Sequence, residues 1–199
     1  MGTCDLARGS AWVTRYLGVS GGPVVHEPAL GTVEQRFAIG DGFTLSLLAA
    51  DPNTTASAHR GIFHTSGIEE RIAKRPTLVG WMVATDSAAS FDALIKRVDG
   101  LLGDVVTLHD GRRLTVPEDG YPLEGGLIPQ VLSAPESTLP SACRFTWMEA
   151  AHPHPAKVQY LLGELGVAEH LVLTSAPAYS GMTMCAYCAT PSGNKTLMS

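Results

Sequence analysis

The chain has 199 residues, with 14 Lys+Arg against 19 Asp+Glu and a net charge of −5, and no stretch supplies the basic footprint needed to grip nucleic acid or anionic lipid. No apolar run approaches the ~18 residues that cross a bilayer, so no membrane association is expected and a soluble, cytoplasmic protein is the reading. An apolar fraction of 45% supports a sizeable core, while 17% charged residues and a mean hydropathy of +0.11 give a surface oily enough to expect a homodimer.

Asp5 is suited to cap a helix that carries Gly9, Val13, Tyr16 and Leu17 on one face and stops at Gly18. His26 and Glu27 then fall in a loop ahead of Pro28 and Gly31. Residues 32–39 and 43–50 read as paired strands across Gly40-Asp41-Gly42, with Glu34 and Arg36 alternating against Val33 and Phe37 and so sharing a face. Residues 53–75 read as a connecting excursion with one short helix, 68–74, and a lone histidine, His64.

Val79-Gly80-Trp81-Met82-Val83-Ala84 is strand-like and is followed by polar capping residues. The helix after it has Phe91, Leu94, Ile95 and Val98 on one face and closes at Gly100. The same grammar returns from Phe145 through Trp147-Met148, with Val158, Leu161, Leu162 and Leu165 ahead of Gly166, and the Trp-to-Gly spacing is identical in both copies. Strand-like pieces follow each copy, at 105–107, 113–116 and 127–132, then at 171–173, 182–188 and 196–198. The acidic pair Glu118-Asp119 lies in a turn, and His109 stands alone near another.

This pattern predicts an α+β fold of repeated βαβββ modules with mixed sheets. The modules run roughly 1–52, 76–133 and 142–199 within a single domain of 1–199. Too few residues precede Asp5 to make an opening strand, so the first module lacks it. Cys185 and Cys188 lie three apart on a strand and point to opposite faces, which predicts free thiols, not a joint metal site.

Several segments together carry a resemblance. Gly31-Thr32 precedes a strand pair ending Leu47-Leu48-Ala49-Ala50-Asp51-Pro52; Arg75-Pro76-Thr77-Leu78-Val79-Gly80-Trp81, Gly125-Gly126-Leu127-Ile128-Pro129 and His152-Pro153-His154-Pro155 follow in that order. The chain resembles the glyoxalase-like domain family of the vicinal oxygen chelate superfamily. That resemblance implies curled sheets around a cup, and a divalent metal held by His, Glu or Gln from strands of paired modules, where it would bind vicinal oxygens of a substrate.

This sequence departs from the family pattern at three ligand positions. Gly31-Thr32 is followed by Val33-Glu34 where relatives carry His-Asn, the next strand has Thr44-Leu45-Ser46 where they carry Tyr-Leu-Glu, and the first opening strand is missing. The expectation is therefore a protein that binds a small organic molecule in the cup, with Trp81, Trp147, Arg36, His26 and Glu27 as pocket candidates and no cofactor. The alternative is a metal-dependent lyase, isomerase or dioxygenase drawing on His26, Glu27, Glu34 and His152. A non-catalytic interaction protein is the third reading.

Overall fold

Asp5 caps the first helix through its side chain, which accepts from the Arg8 backbone N–H at 2.9 Å, and α1 (Leu6–Leu17) then buries Gly9, Val13 and Leu17 before stopping at Gly18 with φ of 72°. The structure is a computed structural model describing residues 1–40, 42–54, 68–98, 100–117, 123–134, 141–177 and 182–199. His64 and the Glu118-Asp119 pair lie outside these.

The first sheet is antiparallel, with β2 (Thr32–Ala38) between β1 (Gly21–Glu27) and β3 (Thr44–Ala50). Residues 21–27 are thus a strand where the sequence reads as a loop. The Gly-Gly-Pro start conceals it: Pro23 has no N–H to donate, and it sits within the register shift between Gly21 and Val24 on an edge strand, where proline is tolerated.

The opening strand of this module is reduced to a bridge. The Leu48 N–H donates to Met1 O and the Thr3 N–H to Leu48 O, both at 2.9 Å, while Gly2 and Thr77 exchange bonds of 2.8 and 3.0 Å. The Leu78 N–H in turn donates to Met198 O at 2.8 Å. Residues 76–78 therefore link the first sheet to the last strand of the chain.

The second module is β4 (Met82–Ala84), α3 (Ala88–Val98), β5 (Asp104–Thr107), β6 (Arg113–Val116) and β7 (Gln130–Leu132), in the order β4-β7-β6-β5. The third is β8 (Arg144–His152), α4 (Pro155–Leu165), β9 (Leu171–Ser175), β10 (Thr183–Thr190) and β11 (Gly193–Met198), in the order β11-β10-β8-β9. The succession of elements repeats, yet the opening strands differ in place. β4 is an edge strand parallel to β7, whereas β8 lies inside its sheet between β9 and β10. Thr77 and Leu78, ahead of this strand, are engaged by Gly2 and Met198, and β4 itself is three residues long.

One hydrophobic cluster runs through all three modules, joining Phe37 and Leu47 to Phe91, Leu127 and Leu162. Two glycines test the backbone around it. Gly126 has φ of 100°, and a Cβ there would lie 2.4 Å from Val79 O, so Gly126→Ala is expected to lose about 2 kcal/mol or more. Gly163 is exposed on α4 with nothing within 4 Å of an added Cβ, so Gly163→Ala is expected to gain about 0.5–1 kcal/mol. Urea midpoints of the two variants check the opposite signs.

Candidate functional site

Alternation along β2 sends Thr32, Glu34 and Arg36 to one face and Val33 and Phe37 to the other, against α1. The register of the first sheet sets Glu27 opposite Thr32, Leu48 opposite Glu34 and Ser46 opposite Arg36, so these side chains share the same face. The second sheet and its loops close over them, with Trp81, Leu114, Thr115, Ile128 and Gln130 on the far wall of a cavity of about 90 Å³. The predicted cup thus lies between the first two sheets.

Its polar groups are mostly anchored. Glu27, 5% exposed, accepts from the Ala29 backbone N–H at 3.3 Å on one oxygen; the other is bonded to the His109 backbone N–H at 2.9 Å and His109 Nδ1 at 2.7 Å. Glu34 accepts from Arg36 Nη2 at 2.7 Å. Trp81 Nε1–H donates to Leu127 O at 2.9 Å, and Gln130 Nε2 donates to Thr115 O at 2.8 Å. The Thr32 hydroxyl is buried with no hydrogen-bond partner among the described residues.

Burial pushes the Glu34 carboxyl upward, but hydrogen bonds from Arg36 and Ser46, with the charges of Arg36 and the N-terminal ammonium, outweigh it and hold the group below its usual range. The Met1 amine is itself buried, donates to Ser46 O at 2.6 Å, and is lowered by desolvation to about 5, so at neutral pH Arg36 and Ser46 carry the effect. A depressed carboxyl contributes stability that is full above its unfolded value of about 4.5 and is lost as pH falls through the lower folded value. Urea midpoints between about pH 5 and 3 should therefore fall more steeply in the wild type than in Glu34→Gln.

The remaining sequence candidates lie elsewhere. His26 is the strand neighbour of Glu27, so alternation turns it away from the cup, where Nδ1 bonds Asp51 at 2.8 Å and holds the Asp51 carboxyl below its usual range. His152 ends β8 in the third sheet. Its Nδ1 accepts from the His154 backbone N–H at 3.0 Å, serving the start of α4, and its Nε2 faces Glu124 at 3.3 Å.

Trp147 is 48% exposed on the open face of β8, stacked on Tyr187 at 4.6 Å. There the Tyr187 hydroxyl bonds Glu149, which drives the phenol up to about 12. The two tryptophans of the repeat therefore share no cavity. Cys185 and Cys188 do point to opposite faces, and Cys188 packs beside Cys143, both thiols free and buried.

The cup thus gathers Glu27, Glu34, Arg36 and Trp81 and leaves out His26, His152 and Trp147. His26, Glu27, Glu34 and His152 do not fit a single metal ion: two of them face away from the cup, and Glu27 and Glu34 are engaged by His109 and Arg36. Among the described residues no group of three or more His, Cys, Asp or Glu side chains is placed to hold one. Ser46, opposite Arg36 in the β2–β3 ladder, has a hydroxyl that bonds Glu34.

The sequence reads His109 as a lone histidine near a turn, where the structure bonds it to Glu27, and it does not mark Thr32 or Gln130 as lining a site. A larger cleft of about 480 Å³, lined by Phe43, Leu45, Met82, Phe145 and Met148, opens where β3 and β4 meet the third sheet. Among the described residues no helix is long and apolar enough to cross a membrane.

The family model described as "Glyoxalase-like domain" matches residues 1–166. No curated protein matches the chain significantly. Among solved structures, the Mn(II)-bound glyoxalase from Novosphingobium aromaticivorans is similar at 11% identity and a TM-score of 0.49, over 100% of this chain and 79% of that one. A mutant 4-hydroxymandelate synthase from Streptomyces coelicolor is similar at 14% identity and a TM-score of 0.43, over 98% of this chain and 59% of that one.

Proposed function

The chain belongs to the glyoxalase-like domain family, and from that premise we propose that it binds a small organic molecule in the cup between its first two sheets, without a working metal centre. The observation that carries this reading is the cup itself: a cavity with apolar walls and, on one side, the buried Glu27, Thr32 and Glu34 with the half-buried Arg36. Apolar walls favour an organic body, and fixed polar groups orient it. The proposal includes a single domain over residues 1–199 and a cytoplasmic homodimer, the latter checked by sedimentation at twice 21.0 kDa.

Trp81 and Trp147 supply a paired reporter, because one lines the cup and the other is exposed on a different sheet. A panel of small organic probes, followed on the two indole N–H resonances, is expected to include compounds that move Trp81 and leave Trp147 in place. A panel in which none moves Trp81 alone overturns the proposal. Protein purified without chelator is expected to carry no stoichiometric metal. Stoichiometric metal released by His26→Ala or His152→Ala would instead support the metal-dependent lyase, isomerase or dioxygenase.

A further inference from the structure

We infer that the outward face of the third sheet, built on Trp147, Tyr187, Val172 and Met198, is where a second copy of this chain docks; the inference deepens the homodimer reading above and rests on it. The register lays these residues in two adjoining rows. One row crosses all four strands, with Val172 beside Glu149, Glu149 beside Cys185 and Cys185 beside Met198; the next sets Trp147 beside Tyr187 and Tyr187 beside Thr196. Alternation buries their neighbours Met148, Ala150, Met184, Ala186 and Leu197 in the core with Val158 and Leu162 of α4, and turns both rows the other way.

Strands that meet water on one face normally carry polar side chains there. Here Met198, Trp147 and Val172 stand 47%, 48% and 56% exposed, and Trp147 stacks on Tyr187. Three large apolar side chains thus share one open surface, and a contiguous apolar patch marks an interaction site. Polar groups of the same face are already bonded within the sheet: the Tyr187 hydroxyl to Glu149, while the Thr174 hydroxyl donates to Ala150 O at 3.2 Å.

Charge, architecture and size point to a second copy as the occupant. By the same alternation the charged side chains on this face are Glu149 and Arg144, one of each sign, whereas the whole chain carries −5; a copy therefore meets less repulsion here than over an average part of the surface. The first two sheets cover one another across the cup, and among the described residues there is no fourth sheet to oppose the third. A two-fold axis through the open face supplies one, since an isologous contact needs only a surface that complements itself, and sheets pack face to face about 10 Å apart. Four strands about 4.8 Å apart, the longest of nine residues rising about 3.3 Å each, outline roughly 20 by 30 Å. That is about 600 Å², below the roughly 800 Å² each partner gives to a standard interface, so the dimer is a reversible one that dissociates in the micromolar range.

Sedimentation velocity of the full chain from about 1 to 100 µM is expected to pass from 21.0 kDa to twice that mass. Trp147→Lys and Val172→Lys should each weaken association roughly tenfold or more, with urea midpoints close to the wild type because both side chains are half exposed. Val24→Lys, at a side chain 50% exposed on β1, should leave association unchanged. On dilution of the wild type the Trp147 Nε1–H resonance should shift while that of Trp81 stays. Wild-type association in either Trp147→Lys or Val172→Lys, or equal weakening by Val24→Lys, overturns this interface and leaves the homodimer standing. A chain that stays at 21.0 kDa throughout removes the homodimer and the interface together, with the cup reading unaffected. If Trp147→Lys does not fold, Val172→Lys and the wild-type resonances decide.

Discussion

Arg36→Met is expected to destabilise the protein by roughly 2–4 kcal/mol in urea titrations. Glu34 is 8% exposed, and its carboxylate depends on the guanidinium at 2.7 Å; removing Arg36 leaves a buried charge with only a hydroxyl and an amine that is neutral at pH 7 beside it. The Arg36 side chain is 29% exposed, so water can partly replace it, and the expected cost is set below that of a fully buried pair. The double variant Arg36→Met with Glu34→Leu removes both charges and should recover most of the loss. If the single and double variants are equally unstable, the ion pair is not what holds this part of the cup.

Phe91→Ala is expected to cost roughly 3–5 kcal/mol and to loosen α3 ahead of the rest of the molecule. α3 has eleven residues, yet Phe91 alone is fully buried; Leu94, Ile95 and Val98 only lean on the core. The ring also carries the Arg113 guanidinium over its face at 4.8 Å, and Arg113 in turn pairs with Asp92 at 2.8 Å. Hydrogen exchange along α3 should therefore accelerate in Phe91→Ala, whereas Leu94→Ala, at a half-buried position, should cost about half as much. Equal costs at the two positions would show that the helix is held by its whole face.

What the sequence discloses about this fold is what local chemistry can encode. Asp5 and Gly18 bracket α1 because a carboxylate satisfies a free N–H and glycine adopts a positive φ, and both signals act within one turn. The apolar spacing after Trp81 and after Trp147 marks α3 and α4 for the same reason. Strand order is not local. Whether an opening strand lies at an edge, as β4 does, or inside, as β8 does, depends on which segments reach it first, and the claims of Gly2 and Met198 on residues 77 and 78 cannot be read from a repeat.

The site divides the same way. Glu34 and Arg36 share a face by strand alternation, which the sequence displays. His109 meets Glu27 across 82 residues of chain and has no sequence signal. The repeat misleads at the tryptophans: Trp81 stands just ahead of β4 and bonds Leu127, whereas Trp147 is inside the β8 ladder, where the core-facing place belongs to Met148. Likewise His26 and Glu27 look like a pair in sequence, and become back-to-back neighbours once residues 21–27 form a strand.

The stretch at 76–78 acts as a clasp, since Thr77 is fastened to Gly2 and Leu78 to Met198. One short segment thus answers to two distant parts of the chain at once, so a proline at position 77, which removes the N–H bonded to Gly2, should disturb the first sheet, and one at position 78, which removes the N–H bonded to Met198, the last strand.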